Sequence, residues 1–350
     1  MNMLEVALIG YGYWGPNLAR NLHQLRTCHF AACCDRDPQK LAEVQTLYPG
    51  THTTTDPDKL LSLPAIDAVV IATPARTHYE LTKQALEAGK HVLVEKPIAM
   101  SSKEAEELIS LAERSRRVLM VGHTFEYNPA VLKIKSLLEE GTIGDIYYLY
   151  STRVNLGRLQ QDLNALWSIA PHDISIMNYL LDAMPIEISA RGARCLGTEV
   201  EDVVFADLSY PGGVIAHIHV SWLDPSKVRR MTIVGSKKMI VYDDIDPEGK
   251  VRLYDKGATR VNATQSYGEF QYKLRTGDIY IPKIDLTEPL QNECAHFIEC
   301  ITYGRRPRTD GLNGLRVVRV LEAAGRSLAR AGAPEPVEPI PPGLGRTSIA

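Results

Sequence analysis

Two side chains in this sequence have the chemistry to work on a carbinol, and each stands among residues that would aim it. Lys96 lies in Glu95-Lys96-Pro97, directly after the apolar run Val92-Leu93-Val94, so an ammonium group is delivered at a strand's end. There it can donate a hydrogen bond to a hydroxyl or carbonyl oxygen and stabilise the charge that grows as hydride leaves or arrives. Glu95 is placed to hold it. His172 lies in Trp167-Ser168-Ile169-Ala170-Pro171-His172-Asp173, where Pro171 suits a helix's first position and Ile174, Met177 and Leu181 set its buried face. Imidazoles titrate near neutrality and can take the proton of an alcohol. The same residues also read as a polar strand end and as a helix-entrance histidine, with Asp173 there for the dipole.

A hydride needs an acceptor, and the start of the chain is built to hold one. The run Leu4-Glu5-Val6-Ala7-Leu8-Ile9 leads into Gly10-Tyr11-Gly12-Tyr13-Trp14-Gly15 and then Pro16, a pattern of strand, phosphate-binding turn and helix. Gly10 permits the tight turn, Gly12 leaves the backbone bare for a pyrophosphate, and Gly15 lets helix and strand pack closely. The next strand, His29 to Cys34, ends on Asp35, whose carboxylate can accept from a ribose and would repel a 2′-phosphate. NAD is therefore expected over NADP, with the neighbouring Arg36 able to stack on adenine or to serve a phosphate. Thr73, Pro74 and His78, after the strand Ala68 to Ala72, are expected on the same side with Tyr13, Trp14, Glu95 and Lys96.

Strands alternate with helices as far as Gly122-His123, which predicts an α/β unit with a doubly wound parallel sheet over residues 1–123. The period then falls to two in seven runs beginning at Ile146, Ile186, Val203, Val214, Arg230, Met239 and Val251. Residues 124–350 are expected to form an α+β domain with a large, mostly antiparallel open sheet, carrying helices near 289–303 and 312–331. The proline-rich stretch from Pro334 to Pro342 reads as extended and peripheral.

Taken together and in order, Gly10-Tyr11-Gly12-Tyr13-Trp14-Gly15-Pro16-Asn17, Glu95-Lys96-Pro97, Gly122-His123-Thr124-Phe125, Tyr127-Asn128-Pro129 and Pro171-His172-Asp173 resemble the Gfo/Idh/MocA oxidoreductases. The resemblance implies a nucleotide-binding domain followed by a sheet domain that supplies substrate contacts and often the oligomer interface. It makes Lys96 and His172 the catalytic pair and puts Tyr127 and Asn128 at the substrate pocket. Many members carry an aspartate four residues before the histidine, where this chain has Ser168, so His172 works with a weaker partner or Asp173 takes part. Arg153, Asn155 and Arg158, following a strand, can reach a phosphorylated or nucleotide-linked substrate. The opening motif is most similar to nucleotide-sugar members, which implies oxidation at the 3-position of UDP-N-acetylglucosamine. An inositol or free-sugar dehydrogenase, a ketoreductase and a non-catalytic dinucleotide-sensing regulator are the alternatives.

Composition fits that reading. A 350-residue chain with 45% hydrophobic content can build two cores, and a net charge of −3 gives no reason to expect nucleic acid. No apolar run approaches bilayer-crossing length and no leader precedes the first strand, so a cytoplasmic protein is expected, and the sheet domain suggests a dimer or tetramer. Six cysteines without a C-x-x-C pair read as reduced thiols. His217 and His219 share one strand face, but no third ligand is near, and no metal is expected.

Overall fold

Each apolar run in the first third of the chain forms a strand, and each amphipathic stretch between two of them forms a helix. The computed structural model describes residues 3–157, 163–261, 271–285 and 287–345. The order is β1 (Leu4–Ile9), α1 (Gly15–Gln24), β2 (Cys28–Cys34), α2 (Pro38–Leu47), β3 (His52–Thr54), α3 (Pro57–Leu61) and β4 (Ala68–Ile71). Then come α4 (His78–Glu87), β5 (His91–Glu95), α5 (Ser102–Ser115) and β6 (Leu119–Gly122). All six strands pair in parallel in the order β3-β2-β1-β4-β5-β6. This is the dinucleotide-binding topology, and its reversal point falls between β1 and β4, beyond whose carboxyl ends a ligand binds. Local signals act as expected: Ser101 and Glu104 form a capping box at the start of α5.

Beyond α6 (Pro129–Glu139) the chain turns to β7 (Ile146–Val154), α7 (Ala165–Ile169), α8 (Pro171–Leu181), β8 (Glu187–Ala193), β9 (Val203–Ser209), β10 (Ile215–Ser221), β11 (Val228–Gly235), β12 (Met239–Asp243), β13 (Val251–Val261) and β14 (Gln271–Tyr280). α9 (Pro289–Tyr303), α10 (Gly311–Ala329) and the two-residue β15 (Glu335–Pro336) follow. The second sheet has nine strands in the order β14-β13-β12-β11-β7-β10-β9-β8-β15. Neighbours run antiparallel except β10 and β7, which are parallel.

The division of the chain differs from the expected one. One compact unit comprises Met1–Asn128, Thr287–Glu322 and Pro339–Ala350, and the other Pro129–Leu286 and Ala323–Glu338. Helix α9, expected on the second domain, belongs to the first unit because Leu290, Cys294, Phe297 and Ile298 join Leu18 and Leu22 of α1 in one apolar core. Burial stabilises by roughly 1.5–3 kcal/mol for each such large side chain. The contact is directed by Glu288, which opens α9 and accepts from both terminal nitrogens of Arg20 at 2.9 and 2.6 Å and from Asn21 at 3.1 Å. Thr309 then covers the outer edge of β6: the Val121 amide donates to the Thr309 carbonyl at 2.7 Å, and the Thr309 hydroxyl donates to the Val121 carbonyl at 2.7 Å. The proline-rich stretch is not wholly peripheral, since Glu335 and Pro336 pair with β8 and Val337 is buried.

Candidate active site

The phosphate turn is stitched in place by backbone. Gly10 has a φ of +100°, its amide donates to the Cys34 carbonyl at 2.8 Å, and a methyl group on it would lie 2.6 Å from the Ala72 carbonyl oxygen. A methyl group on Gly15 would lie 2.4 Å from the Gly10 oxygen, whereas one on Gly12 would meet nothing within 4 Å. Two glycines of the motif are thus required by the protein's own packing, and the third opens onto empty space. No side chain caps α1 at Trp14, which leaves its first-turn dipole for an anion. Asp35 stands beside the turn and accepts from the amides of Tyr11 at 2.6 Å and Asp37 at 2.9 Å. Arg36 and Tyr13 are exposed there. These features fit a dinucleotide: Gly10 and Gly15 to shape the turn, Gly12 to leave it bare for the pyrophosphate, and Asp35 to meet the ribose.

Lys96 follows β5 in the same unit, at the Lys96–Pro97 cis peptide. The Glu95 carboxyl accepts from the Lys96 amide at 3.3 Å and from the side chain of Trp14, so the phosphate turn is tied to the Glu-Lys-Pro segment. Burial pushes the Glu95 carboxyl up to about 7, and the Lys96 charge only partly offsets it. His123 is fully buried, and burial, reinforced by the Lys96 charge, lowers it to about 3, so it stays a neutral ring.

Two of the expected site residues in this unit are buried and hydrogen-bonded within the protein. His78, expected to meet the cofactor, is buried with Nδ1 2.7 Å from the Pro97 carbonyl and Nε2 2.8 Å from the Thr73 carbonyl. It ties the Thr73-Pro74 bend to the residue after Lys96, while burial lowers its affinity for a proton. Tyr127, expected at the substrate pocket, is 2% exposed, lies under the Arg308 guanidinium, and has its hydroxyl 3.2 Å from that of Thr309 and 3.1 Å from Nδ1 of His296. Asn128 is buried beside it.

Glu293 was not foreseen. It lies on the apolar stripe of α9 with Leu290 and Phe297, accepts from the Thr124 hydroxyl at 2.8 Å, and is held well above the usual carboxylate range by burial and then by the charge of Glu95. A charged residue inside a helix's apolar stripe was the available signal.

In the other unit, His172 occupies the first turn of α8, half-buried, with its carbonyl accepting from the Ser175 hydroxyl at 3.0 Å. Asp173, expected at the substrate or taking part with the imidazole, is 3% exposed and accepts from Arg153 Nε at 2.7 Å and Nη2 at 3.3 Å. Arg153, expected as a substrate contact, forms the other half of this buried ion pair, since β7 turns it to the buried face with Leu149 and Ser151. Ser168 lies in α7, Asn155 is half-buried after β7, and Arg158 falls outside the described residues. His217 pairs with Asp207 at 2.7 Å and His219 stacks on Phe205 with ring centroids 4.3 Å apart. Among the described residues no group of three or more His, Cys, Asp or Glu is arranged to hold a metal ion.

Comparison with known proteins decides the family. Residues 4–123 match the model of the oxidoreductase family with an NAD-binding Rossmann fold, and residues 131–241 match the GFO/IDH/MocA C-terminal domain. The uncharacterized oxidoreductase YdgJ of Escherichia coli is 30% identical over 266 residues, covering 70% of this chain and 72% of that protein. The chain belongs to the GFO/IDH/MocA oxidoreductase family. It is an NAD-dependent oxidoreductase, and no helix among its described residues is long and apolar enough to cross a membrane.

Within the GFO/IDH/MocA family the similarities spread over several activities. UDP-N-acetylglucosamine 3-dehydrogenase of Acidithiobacillus ferrooxidans is 25% identical over 321 residues, 90% of this chain and 94% of that protein. Its solved structure superposes with a TM-score of 0.79 at 24% identity, covering 95% and 99% of the two chains. The 2,7-anhydro-N-acetylneuraminate hydratase of Mediterraneibacter gnavus is 24% identical over 269 residues, 72% of this chain and 71% of that protein.

Proposed function

We propose that this enzyme oxidises a secondary hydroxyl of a nucleotide-linked sugar to a ketone, with the 3-hydroxyl of UDP-N-acetylglucosamine as the substrate position. The observation that carries the reading is that the Glu95 carboxyl accepts from both the Lys96 amide and the Trp14 side chain, which supports a lysine working beside the open turn at Gly12. The 25% identity to the Acidithiobacillus ferrooxidans enzyme over 90% of the chain favours that sugar. When bound, NAD takes the hydride from the carbinol carbon. Lys96 donates a hydrogen bond to the carbinol oxygen and stabilises the alkoxide character that develops on it. His172 accepts the hydroxyl proton. The ketone keeps its oxygen, one hydride and one proton having left.

The test is NADH formation, read by absorbance with a panel of UDP-sugars, inositols and free sugars, and a product identified by mass. UDP-N-acetylglucosamine should yield a product two hydrogens lighter. Turnover confined to free sugars would overturn the substrate. Lys96→Met should lower kcat by roughly 10²–10⁴-fold with NADH still bound; unchanged turnover would overturn the role of the lysine.

Assembly as a homo-oligomer is part of this reading. Tyr148, Tyr150, Ile215 and Phe205, on the adjacent strands β7, β10 and β9, are 45%, 41%, 57% and 47% exposed. A contiguous aromatic face of this kind is the surface a second copy would cover, and sedimentation of the protein with Tyr150→Lys tests it by loss of the oligomer.

A further inference from the structure

We propose that Arg153 is a positioning residue for His172: by clamping Asp173, the next residue in the chain, it sets the first turn of α8 from which the imidazole projects. The inference rests on the proton-accepting role of His172 given above. Three observations support it. First, Ala170, which ends α7 and opens α8, offers no side-chain cap to the entrance of α8. A helix start without a capping side chain owes its direction to other contacts.

Second, the clamp is two-pronged and dry. Nε and Nη2 of Arg153 donate to the two carboxylate oxygens of Asp173 at 2.7 and 3.3 Å, and the two side chains are 8% and 4% exposed. A planar fork on a carboxylate fixes orientation as well as distance. Burial works against the guanidinium's charge, but the charge and hydrogen bonds of Asp173 overcome it and hold Arg153 above its ordinary pKa.

Third, the clamp is anchored to a strand paired on both sides. Arg153 sits in β7 with Arg229 of β11 and Val220 of β10 opposite it on either side. A buried ion pair adds little stability over a well-packed apolar pair. What it supplies here is direction for the turn that carries His172.

The test compares Arg153→Lys, the double variant Arg153→Met with Asp173→Leu, His172→Asn, and the triple combination. The apolar double variant leaves no buried unpaired charge. It should unfold within a few degrees of the wild-type protein and bind NADH as tightly. Its kcat should fall about tenfold or more while KM for UDP-N-acetylglucosamine, or for whichever sugar of the panel reduces NAD, changes less than about threefold. Arg153→Lys, which keeps the charge and loses the fork, should recover part of the loss. In the His172→Asn background the same pair of substitutions should cost nothing further, since residues that act as a unit are not additive. A double variant with wild-type kcat, or a loss that adds in full to that of His172→Asn, would overturn the positioning role. Unchanged turnover in His172→Asn alone would overturn the role of the histidine, and this inference with it.

Discussion

The carboxyl group of Glu95 lies over Gly122, so that a methyl group on that glycine would come within 3.0 Å of both Oε2 and the carboxyl carbon. The two residues are register partners at the carboxyl ends of β5 and β6. Glycine at 122 is thus the space in which Glu95 turns toward the Lys96 amide and Trp14.

Gly122→Ala should displace that carboxyl and, with it, Lys96. Overpacking of this kind costs about 1–3 kcal/mol, so a lowered midpoint in thermal unfolding is expected together with a fall in kcat of about tenfold. Wild-type kcat in a well-folded variant would show that the placement of Glu95 is unimportant to Lys96.

The glycines of the phosphate turn should fail in opposite ways. Gly15→Ala drives a methyl group into a backbone oxygen 2.4 Å away, so the first unit should lose stability. Gly12→Ala meets nothing within 4 Å and should leave unfolding unchanged while weakening NADH binding, measured by nicotinamide fluorescence.

Asp35→Ser should shift the ratio of kcat/KM for NAD over that for NADP toward NADP. Removing a charge that faces a 2′-phosphate is worth on the order of 1–3 kcal/mol, or about five- to a hundred-and-fifty-fold. Serine retains an acceptor for the Tyr11 amide, which Asp35 now binds at 2.6 Å, so the turn itself should persist.

Stability should fall as pH rises from about 4.5 to about 8. Burial raises Glu126 from 4.5 to about 8, the Asn313 hydrogen bond only partly offsetting it. The folded state therefore favours the neutral acid. That contribution is fully present below the unfolded value near 4.5 and is lost as pH rises through about 8. At most it amounts to about 5 kcal/mol. Glu126→Gln cannot ionise, so its melting temperature should gain on the wild type between about pH 5 and 8 and hold level above that; parallel curves would refute the assignment.

Much of the first sheet and its turn was legible because each element carries its own local signal. Gly10, Gly12 and Gly15 follow an apolar strand, and Ser101 and Glu104 announce α5. What could not be read were partners far apart in the chain. Periodicity puts Arg153 and Asp173 in a strand and a helix but says nothing of their meeting, and the same holds for His78 with the carbonyls of Thr73 and Pro97. Strand β14 was missed for another reason: residues 273–280 are exposed on both faces, so no alternation marks them.

The return of residues 287–322 to the first unit has a consequence for how the protein is made. A ribosome that has released the whole six-stranded sheet has not yet supplied Leu290, Phe297 and Ile298, and the greasy flank of α1 must wait bare through the synthesis of more than a hundred and fifty intervening residues. Maturation of the nucleotide-binding half is thereby a late event, and a fragment cut after Asn128 should clump rather than fold.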